Sequence, residues 1–280
     1  MSILVIQAPH LSSVHTEQLA ALACAQGVQK LSQTAARLLQ VDPDTYDEVA
    51  AQCETLDIDL ARLDRIQPLS NCRILAMDMD STLINIECID EIADMAGLKA
   101  EVSAITEAAM RGEIKDFAES LTRRAALLKG VSVDALERVY AERLHLNAGA
   151  ARLIESAHQS GLKTLLVSGG FTFFTERLQA RLGLSEVHAN TLEIENGRLT
   201  GRVLGPIVDG QAKADKLSAL AQSLGADASQ IIAMGDGAND LKMLALAKYG
   251  VAYRAKPVVR AQAPFALNSS GLDAVLNWFA

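Results

Sequence analysis

Asp78 and Asp80 stand two residues apart in Asp78-Met79-Asp80-Ser81-Thr82, directly after the short apolar run Arg73-Ile74-Leu75-Ala76-Met77. Such a run predicts a buried strand, and carboxylates at i and i+2 leave the end of an extended segment on the same side. Side by side at a buried strand end, two carboxylates resist ionisation unless something cationic neutralises them. A hard divalent cation with oxygen ligands does so, and Mg²⁺ typically binds through one or two carboxylates plus substrate phosphate. One Asp can then attack a phosphoryl group to give an aspartyl phosphate while the other moves protons. Taken alone, the pair reads about equally well as a helix cap and turn, since Asp is favoured at helix starts.

Two further segments share this layout. Leu162-Lys163-Thr164-Leu165-Leu166-Val167 is apolar and ends in Ser168-Gly169-Gly170, and Gln230-Ile231-Ile232-Ala233-Met234 ends in Gly235-Asp236-Gly237-Ala238-Asn239-Asp240. Three predicted strands thus each run into a polar loop that opens a helix. In open parallel sheets, ligands bind at the carboxyl ends of the strands. A serine hydroxyl and glycine amides at Ser168 and Gly169 suit phosphate oxygens, as do the N–H groups of a helix N-terminus.

With these residues the chain resembles the phosphatases of the haloacid dehalogenase superfamily, and within them the phosphoserine phosphatases. The superfamily pattern is met by Asp78-Met79-Asp80-Ser81-Thr82, Ser168, Lys213, and Asp236 with Asp240. The narrower resemblance adds Asn85-Ile86-Glu87-Cys88-Ile89-Asp90-Glu91-Ile92-Ala93, Phe117 with Arg124 seven positions on, Ser168-Gly169-Gly170-Phe171, and Gly235 through Asp240. It runs from about Arg73 to the C-terminus. At one point it departs: from Met110 to Phe117 the chain is one residue longer than the usual spacing.

The resemblance implies an α/β fold, a doubly wound parallel sheet with a helical cap at about 89–146 inserted after the first strand. It also implies Mg²⁺-dependent hydrolysis of phosphoserine, the last step of serine biosynthesis. Asp78 would be the nucleophile and Asp80 the acid and base, with Lys213 steadying charge on Asp78 and on the phosphoryl group. Mg²⁺ would bind Asp78, the Asp80 main-chain oxygen and Asp236, while Asp240 supports the metal or orients Lys213. Ser168, Gly169 and Asn239 would contact phosphate. Glu87 would meet the substrate ammonium, although an early helix acid also suits the helix dipole. On sequence alone Arg123 and Arg124 read as solvated helix residues, but the spacing from Phe117 favours Arg124 as a fork for the substrate carboxylate, with Lys216 a surface residue.

These residues need elements to hold them. Residues 1–70 read as a small α+β unit with no catalytic constellation, a packing, regulatory or dimerisation module that leaves a homodimer open. In it Ile3–Ile6 predicts a strand, Thr16–Ala25 a helix stopped at Gly27, Ala35–Val41 a strand or short helix, and Asp44–Glu54 a helix behind Pro43. Residues 71–280 carry the phosphatase core. From about Ile89 to Leu146 the apolar spacing is helical, with breaks at Gly112 and Gly130; placed over the strand ends, this insertion acts as a lid. Thr191–Val203, two alternating runs about Asn196-Gly197, predicts a tight hairpin.

Half of the residues are hydrophobic, enough for a substantial core, and the net charge of -8 argues against broad nucleic-acid binding. No apolar run approaches the ~20 residues of a membrane span, and the first residues lack a signal-peptide pattern. Cys24, Cys53, Cys72 and Cys88 have no metal-type spacing and fit reduced thiols in a cytoplasmic protein. The five histidines form no metal-like pair. Another phosphomonoesterase or a phosphotransferase fits the same scaffold. A signalling receiver shares the Asp, Ser/Thr and Lys around Mg²⁺, but Asp80 and the helical insertion argue against it.

Overall fold

The computed structural model describes residues 2–111, 113–114 and 116–280, with only the backbone of Met110. The expected break at Gly112 and the Met110 side chain at the start of the longer spacing lie outside the described residues.

The first elements are β1 (Ser2–Gln7), α1 (Ser13–Leu22), β2 (Gly27–Lys30), β3 (Ala35–Val41), α2 (Tyr46–Thr55) and β4 (Asp59–Leu63). They form an antiparallel sheet in the order β2-β3-β1-β4. Helix α1 starts earlier than Thr16 because the Ser12 hydroxyl caps it by accepting from His15 N–H at 3.1 Å. It ends at Leu22, where Cys24 turns the chain with φ +47°, so Gly27 opens β2 and does not stop a helix. The strand alternative holds for 35–41, which pairs with both β1 and β2.

Next come β5 (Ile74–Met77) and four cap helices, α3 (Cys88–Met95), α4 (Lys99–Met110), α5 (Phe117–Leu127) and α6 (Val133–Arg138). The chain returns through α7 (Ala150–Gln159), β6 (Lys163–Phe171), α8 (Thr172–Leu182), β7 (Glu186–Glu195), β8 (Arg198–Leu204), α9 (Gly210–Leu224), β9 (Ile231–Gly235), β10 (Tyr249–Tyr253) and β11 (Phe265–Leu267). The sheet order is β11-β10-β9-β5-β6-β7-β8, parallel except for the β7–β8 hairpin. Alternation sorts its two faces. Leu75, Met77 and Leu166 face a cluster with Leu153, Ile154 and Phe174 of α7 and α8, while Ile74, Ala76 and Leu165 face Leu217 and Leu220 of α9.

The three strands whose ends hold the polar motifs are neighbours. Met77 stands opposite Leu166 on one side and Met234 on the other, which brings Asp78, Ser168 and Asp236 to one edge. Strand β6 does not stop at Val167 as the sequence reading has it. It continues through Ser168-Gly169-Gly170 because Phe171 pairs again with Asn190 of β7, and the register shifts in between.

The N-terminal sheet docks on the C-terminal end of the chain. Val5, Ala61 and Leu63 join the cluster that holds Trp278 and Phe279. Buried Arg37 donates to the carbonyls of Asn277 at 2.8 Å and Phe279 at 2.5 Å. Buried Asp59 accepts from the backbone N–H groups of Asn268 at 2.7 Å, Ser269 at 3.2 Å and Ser270 at 2.7 Å.

Candidate active site

Asp78 leaves β5 with extended backbone and is 6% exposed. Its Oδ1 accepts from Met79 N–H at 2.6 Å and its Oδ2 meets Lys213 Nζ at 2.7 Å. Lys213 reaches this point because α9 buries one stripe, Lys213, Leu217 and Leu220, at helical spacing. The Asp209 carboxylate caps that helix by accepting from Ala212 N–H at 2.8 Å. Gly210 lets it approach the third loop, since a Cβ there would lie 2.7 Å from the Asn239 carbonyl oxygen.

Lys213 is wholly buried between two carboxylates, with Asp240 Oδ1 at 2.6 Å. Burial alone would lower its pKa, but Asp78 and Asp240 outweigh burial and raise it, so the ammonium stays charged. The other Asp240 oxygen accepts from Gly237 N–H at 2.9 Å. Gly235 makes room for this side chain, as a Cβ there would lie 2.4 Å from the Asp240 carboxyl carbon.

Asp80 follows in a tight turn over 79–83, and Ser81 takes a left-handed conformation with φ +56°. One Asp80 oxygen accepts from Cys88 N–H at 3.4 Å, and the other lies where a Cβ on Gly170 would come within 2.7 Å. Glycine at 170 therefore keeps the β6 backbone against the acid. Burial first, then Glu87, raises the Asp80 pKa to about 8. Ser168 is buried, and its hydroxyl oxygen accepts from Gly170 N–H at 2.8 Å, leaving its own proton to donate. Gly169 is held by Asn190, whose amide donates to the Gly169 carbonyl at 2.8 Å.

Asp236 accepts from the Thr82 hydroxyl at 3.0 Å. Burial first, and then Asp240, raises its pKa to about 7. Burial and Asp240 likewise raise Asp78 well above the carboxylate range against the pull of Lys213. Oxygens of Asp78, Asp236 and Asp240 lie within 4.8 Å of one another. This hard, all-oxygen set of crowded carboxylates fits a divalent cation, which would relieve the repulsion. Both oxygens of Asp78 and both of Asp240 are already held by donors, whereas only one Asp236 oxygen has such a partner among the described residues.

Above this floor opens a cleft of about 690 Å³, roofed by cap residues including Ile89, Ile114, Phe117, Leu121 and Arg124. Phe117 rests on Gly169, where a Cβ would meet its ring at 2.7 Å. Arg124 donates to the Ser120 carbonyl at 3.4 Å, and among the described residues no carboxylate comes within 4 Å of its guanidinium. Burial lowers its pKa, while Asp90, Glu87 and Asp80 oppose that shift. Glu87 lines the cleft, is exposed to solvent and accepts from the Ser81 hydroxyl at 2.6 Å. Arg123 points away to Glu119, and Lys216 is exposed.

The structure therefore gathers Asp78, Asp80, Glu87, Arg124, Ser168, Gly169, Asp236 and Asn239 on one cleft, with Lys213 and Asp240 just beneath it. Sequence reasoning missed Thr82 as a partner of Asp236, Asn190 as the support of Gly169, and Gln211 and Lys242 on the cleft wall. Lys213 was reached only through the family resemblance, although the apolar stripe it shares with Leu217 and Leu220 could have marked it. Asn190 had no such mark.

The family model of haloacid dehalogenase-like hydrolases matches residues 75–245, and a domain family of unknown function matches residues 4–49. A phosphoserine phosphatase of Polaromonas sp. is 58% identical over 213 residues, 75% of this chain and 90% of that protein. The unliganded crystal structure of a probable phosphoserine phosphatase from Vibrio cholerae superposes with a TM-score of 0.85 at 38% identity, covering 99% of this chain and 85% of that one. A phosphoserine phosphatase solved as a phospho-aspartyl intermediate analogue gives 0.69 at 34% identity over 75% of this chain and 99% of its own. The chain belongs to the haloacid dehalogenase-like hydrolases and, among these, to the phosphoserine phosphatases.

Proposed function

We propose that this chain hydrolyses O-phospho-L-serine to serine and phosphate through an aspartyl phosphate on Asp78. The observation that carries the reading is the charge layout of one cleft. Lys213 stands between Asp78 and Asp240 at its floor, with Arg124 on the roof and Glu87 at the side.

The Asp78 carboxylate is held at both oxygens, by Met79 N–H and Lys213, so it is oriented before substrate arrives. It attacks phosphorus; the new Asp78 O–P bond forms as the bond from phosphorus to the serine oxygen breaks. Asp80 donates its proton to that oxygen. In the second step water attacks phosphorus, the Asp78 O–P bond breaks, and Asp80 takes the water proton, which restores both residues. Ser168, the Gly169 amide and Asn239 hold phosphate oxygens, and Lys213 offsets the charge on Asp78 and the phosphoryl group. Mg²⁺, bound by the Asp78 and Asp236 carboxylates and the Asp80 main-chain oxygen, would supply the charge that lets an anionic nucleophile approach an anionic phosphate. Asp240 keeps Lys213 in place. Arg124 forks the substrate carboxylate, Glu87 takes its ammonium, and Phe117 helps to keep water out.

The reading extends to a cytoplasmic enzyme at the last step of serine synthesis, a setting in which the four free cysteines stay reduced. Among the described residues, no helix is long and apolar enough to cross a membrane. Residues 1–70 form a module outside the chemistry, and residues 71–280 form the catalytic core with its cap.

Phosphate release from phosphoserine with Mg²⁺ tests this. The chain should turn over phosphoserine far better than a simple alkyl phosphate, and a chelator should abolish turnover. Asp78→Asn should fold and lose turnover, because the amide is a poor nucleophile of similar shape. Substantial multiple turnover by Asp78→Asn, with deamidation excluded, would remove the nucleophile assignment. Equal handling of the two esters would remove the substrate.

A further inference from the structure

The cap leaves the core just after the catalytic turn and returns to it at 144–148, and the two connections pair. Ile84 and Leu146 form an antiparallel bridge, Asn85 N–H donates to the His145 carbonyl at 3.0 Å, and His145 N–H donates to Asn85 Oδ1 at 2.8 Å. Asn147 N–H then donates to the Leu83 carbonyl at 3.0 Å. Beyond this ladder, the Asn147 side chain reaches into the catalytic turn itself. Its Nδ2 faces the carbonyls of Thr82 at 2.8 Å, Ile84 at 3.0 Å and Ser81 at 3.4 Å. The amide orientation is unambiguous, since a flip would set its oxygen against all three carbonyls.

The turn needs such a hold. Ser81 is a non-glycine residue at φ +56°, a conformation costing roughly 1–3 kcal/mol that persists only when its surroundings over-determine it. Ser81 and Thr82 are also the two residues that carry contacts outward. The Ser81 hydroxyl holds Glu87, and the Thr82 hydroxyl holds Asp236.

We propose that Asn147 is a positioning residue that fixes the 81–84 backbone and so aims both the Asp236 end and the Glu87 end of the cleft. This rests on the reading of the cleft as a metal-dependent phosphoserine phosphatase site. It assigns to a residue from the cap's return segment a role shared between metal binding and substrate selection. A tether of the cap alone would need only the backbone ladder, which the side chain does not make.

The test is equilibrium Mg²⁺ binding to the full chain without substrate, by calorimetry, on the wild type, Asn147→Ala, Thr82→Val and the double variant. Residues that orient a metal ligand typically matter by ~10–100-fold in affinity, so each single change should weaken Mg²⁺ binding by about 10-fold. If Asn147 acts through Thr82, the double variant should be within about 3-fold of the weaker single one, because residues in one network do not add. Asn147→Ala should also raise KM for phosphoserine several-fold more than KM for an alkyl phosphate, through Ser81 and Glu87. Asn147→Ser, which keeps one donor, should recover part of both losses, and it carries the test if the alanine variant does not fold. A lowered melting temperature with unchanged Mg²⁺ affinity would overturn the proposal, as would fully additive losses. A wild-type chain that bound no divalent cation would overturn the functional reading and this proposal together.

Discussion

At the scale of residues, the cleft separates two jobs by charge. In the proposed reading the floor, with Asp78, Lys213 and their partners, would handle phosphate, and Arg124 and Glu87 would meet the two charges of an amino acid. Arg124 would suit this because, among the described residues, its guanidinium has no carboxylate within 4 Å, unlike Arg143, which is bound to Glu91 and Asp94. Arg124→Ala should therefore raise KM for phosphoserine by ~10–100-fold, the value of charged hydrogen bonds at 1.5–3 kcal/mol, with kcat changed little. A phosphate ester without a carboxylate should shift by less than about 3-fold. Steady-state kinetics on both esters decide the matter, and equal losses would make Arg124 a structural support of the cap. The acids were legible in the sequence because their chemistry is tied to strand ends and motif spacing, whereas Lys213 was reachable only through the family resemblance. Thr82, Asn147 and Asn190 were not legible. Each acts by one hydroxyl or amide on a group that only the fold brings near, and such residues are common in turns for local reasons.

At the scale of elements, the β7–β8 hairpin does more than the sequence reading assigned to it. Asn196-Gly197 predicts the turn, and both residues do take positive φ. What the local sequence could not show is its far edge, which pairs with the cap. Gly130 N–H donates to the Leu199 carbonyl at 2.8 Å, Leu199 N–H to the Val131 carbonyl at 2.9 Å, and Val133 N–H to the Gly197 carbonyl at 2.9 Å. These contacts clamp the end of α5, the helix that carries Phe117 and Arg124. Strands β2 and β4 escaped notice for a related reason: one is four residues long and mostly exposed, the other is defined by its partner β1. At Gly201 the hairpin packs close to the end of α5, with φ +85° and a Cβ there only 3.1 Å from the Ala126 carbonyl oxygen and from Lys129 Cβ just past the helix. Gly201→Val should strain the backbone by about 1–3 kcal/mol and push the hairpin off α5. The expected signature is a raised KM for phosphoserine with an alkyl phosphate nearly unaffected, because the floor of the cleft lies on other elements. An equal effect on both esters would show that the hairpin supports the whole site and not the cap alone.

At the scale of the whole molecule, the N-terminal unit is joined to the rest of the chain by contacts that bear on stability, and in the proposed reading it stays outside the chemistry. Among the described residues, every one that lines the cleft lies at Asp78 or beyond. Yet Val5, Ala61 and Leu63 share a core with Trp278 and Phe279, and Arg37 and Asp59 satisfy backbone groups of the C-terminal segment. Asp59→Ala would leave the N–H groups of Asn268, Ser269 and Ser270 without their acceptor, at a cost of roughly 2–4 kcal/mol given the usual strength of hydrogen bonds to charged groups. A chain beginning at Ser70 loses that acceptor, the Arg37 bonds and the apolar cover over Trp278 at once. It should melt at least ~10 °C below the full chain, since a domain of this size shifts by about 2–4 °C per kcal/mol. Below its own melting temperature, its kcat for phosphoserine should stay within about 3-fold of the full chain's. Thermal melts and initial rates on the same preparation read both quantities. A shortened chain that melts normally would show that the shared apolar surface carries little stability, and one that stays folded but has lost turnover would show that the N-terminal unit reaches the chemistry after all.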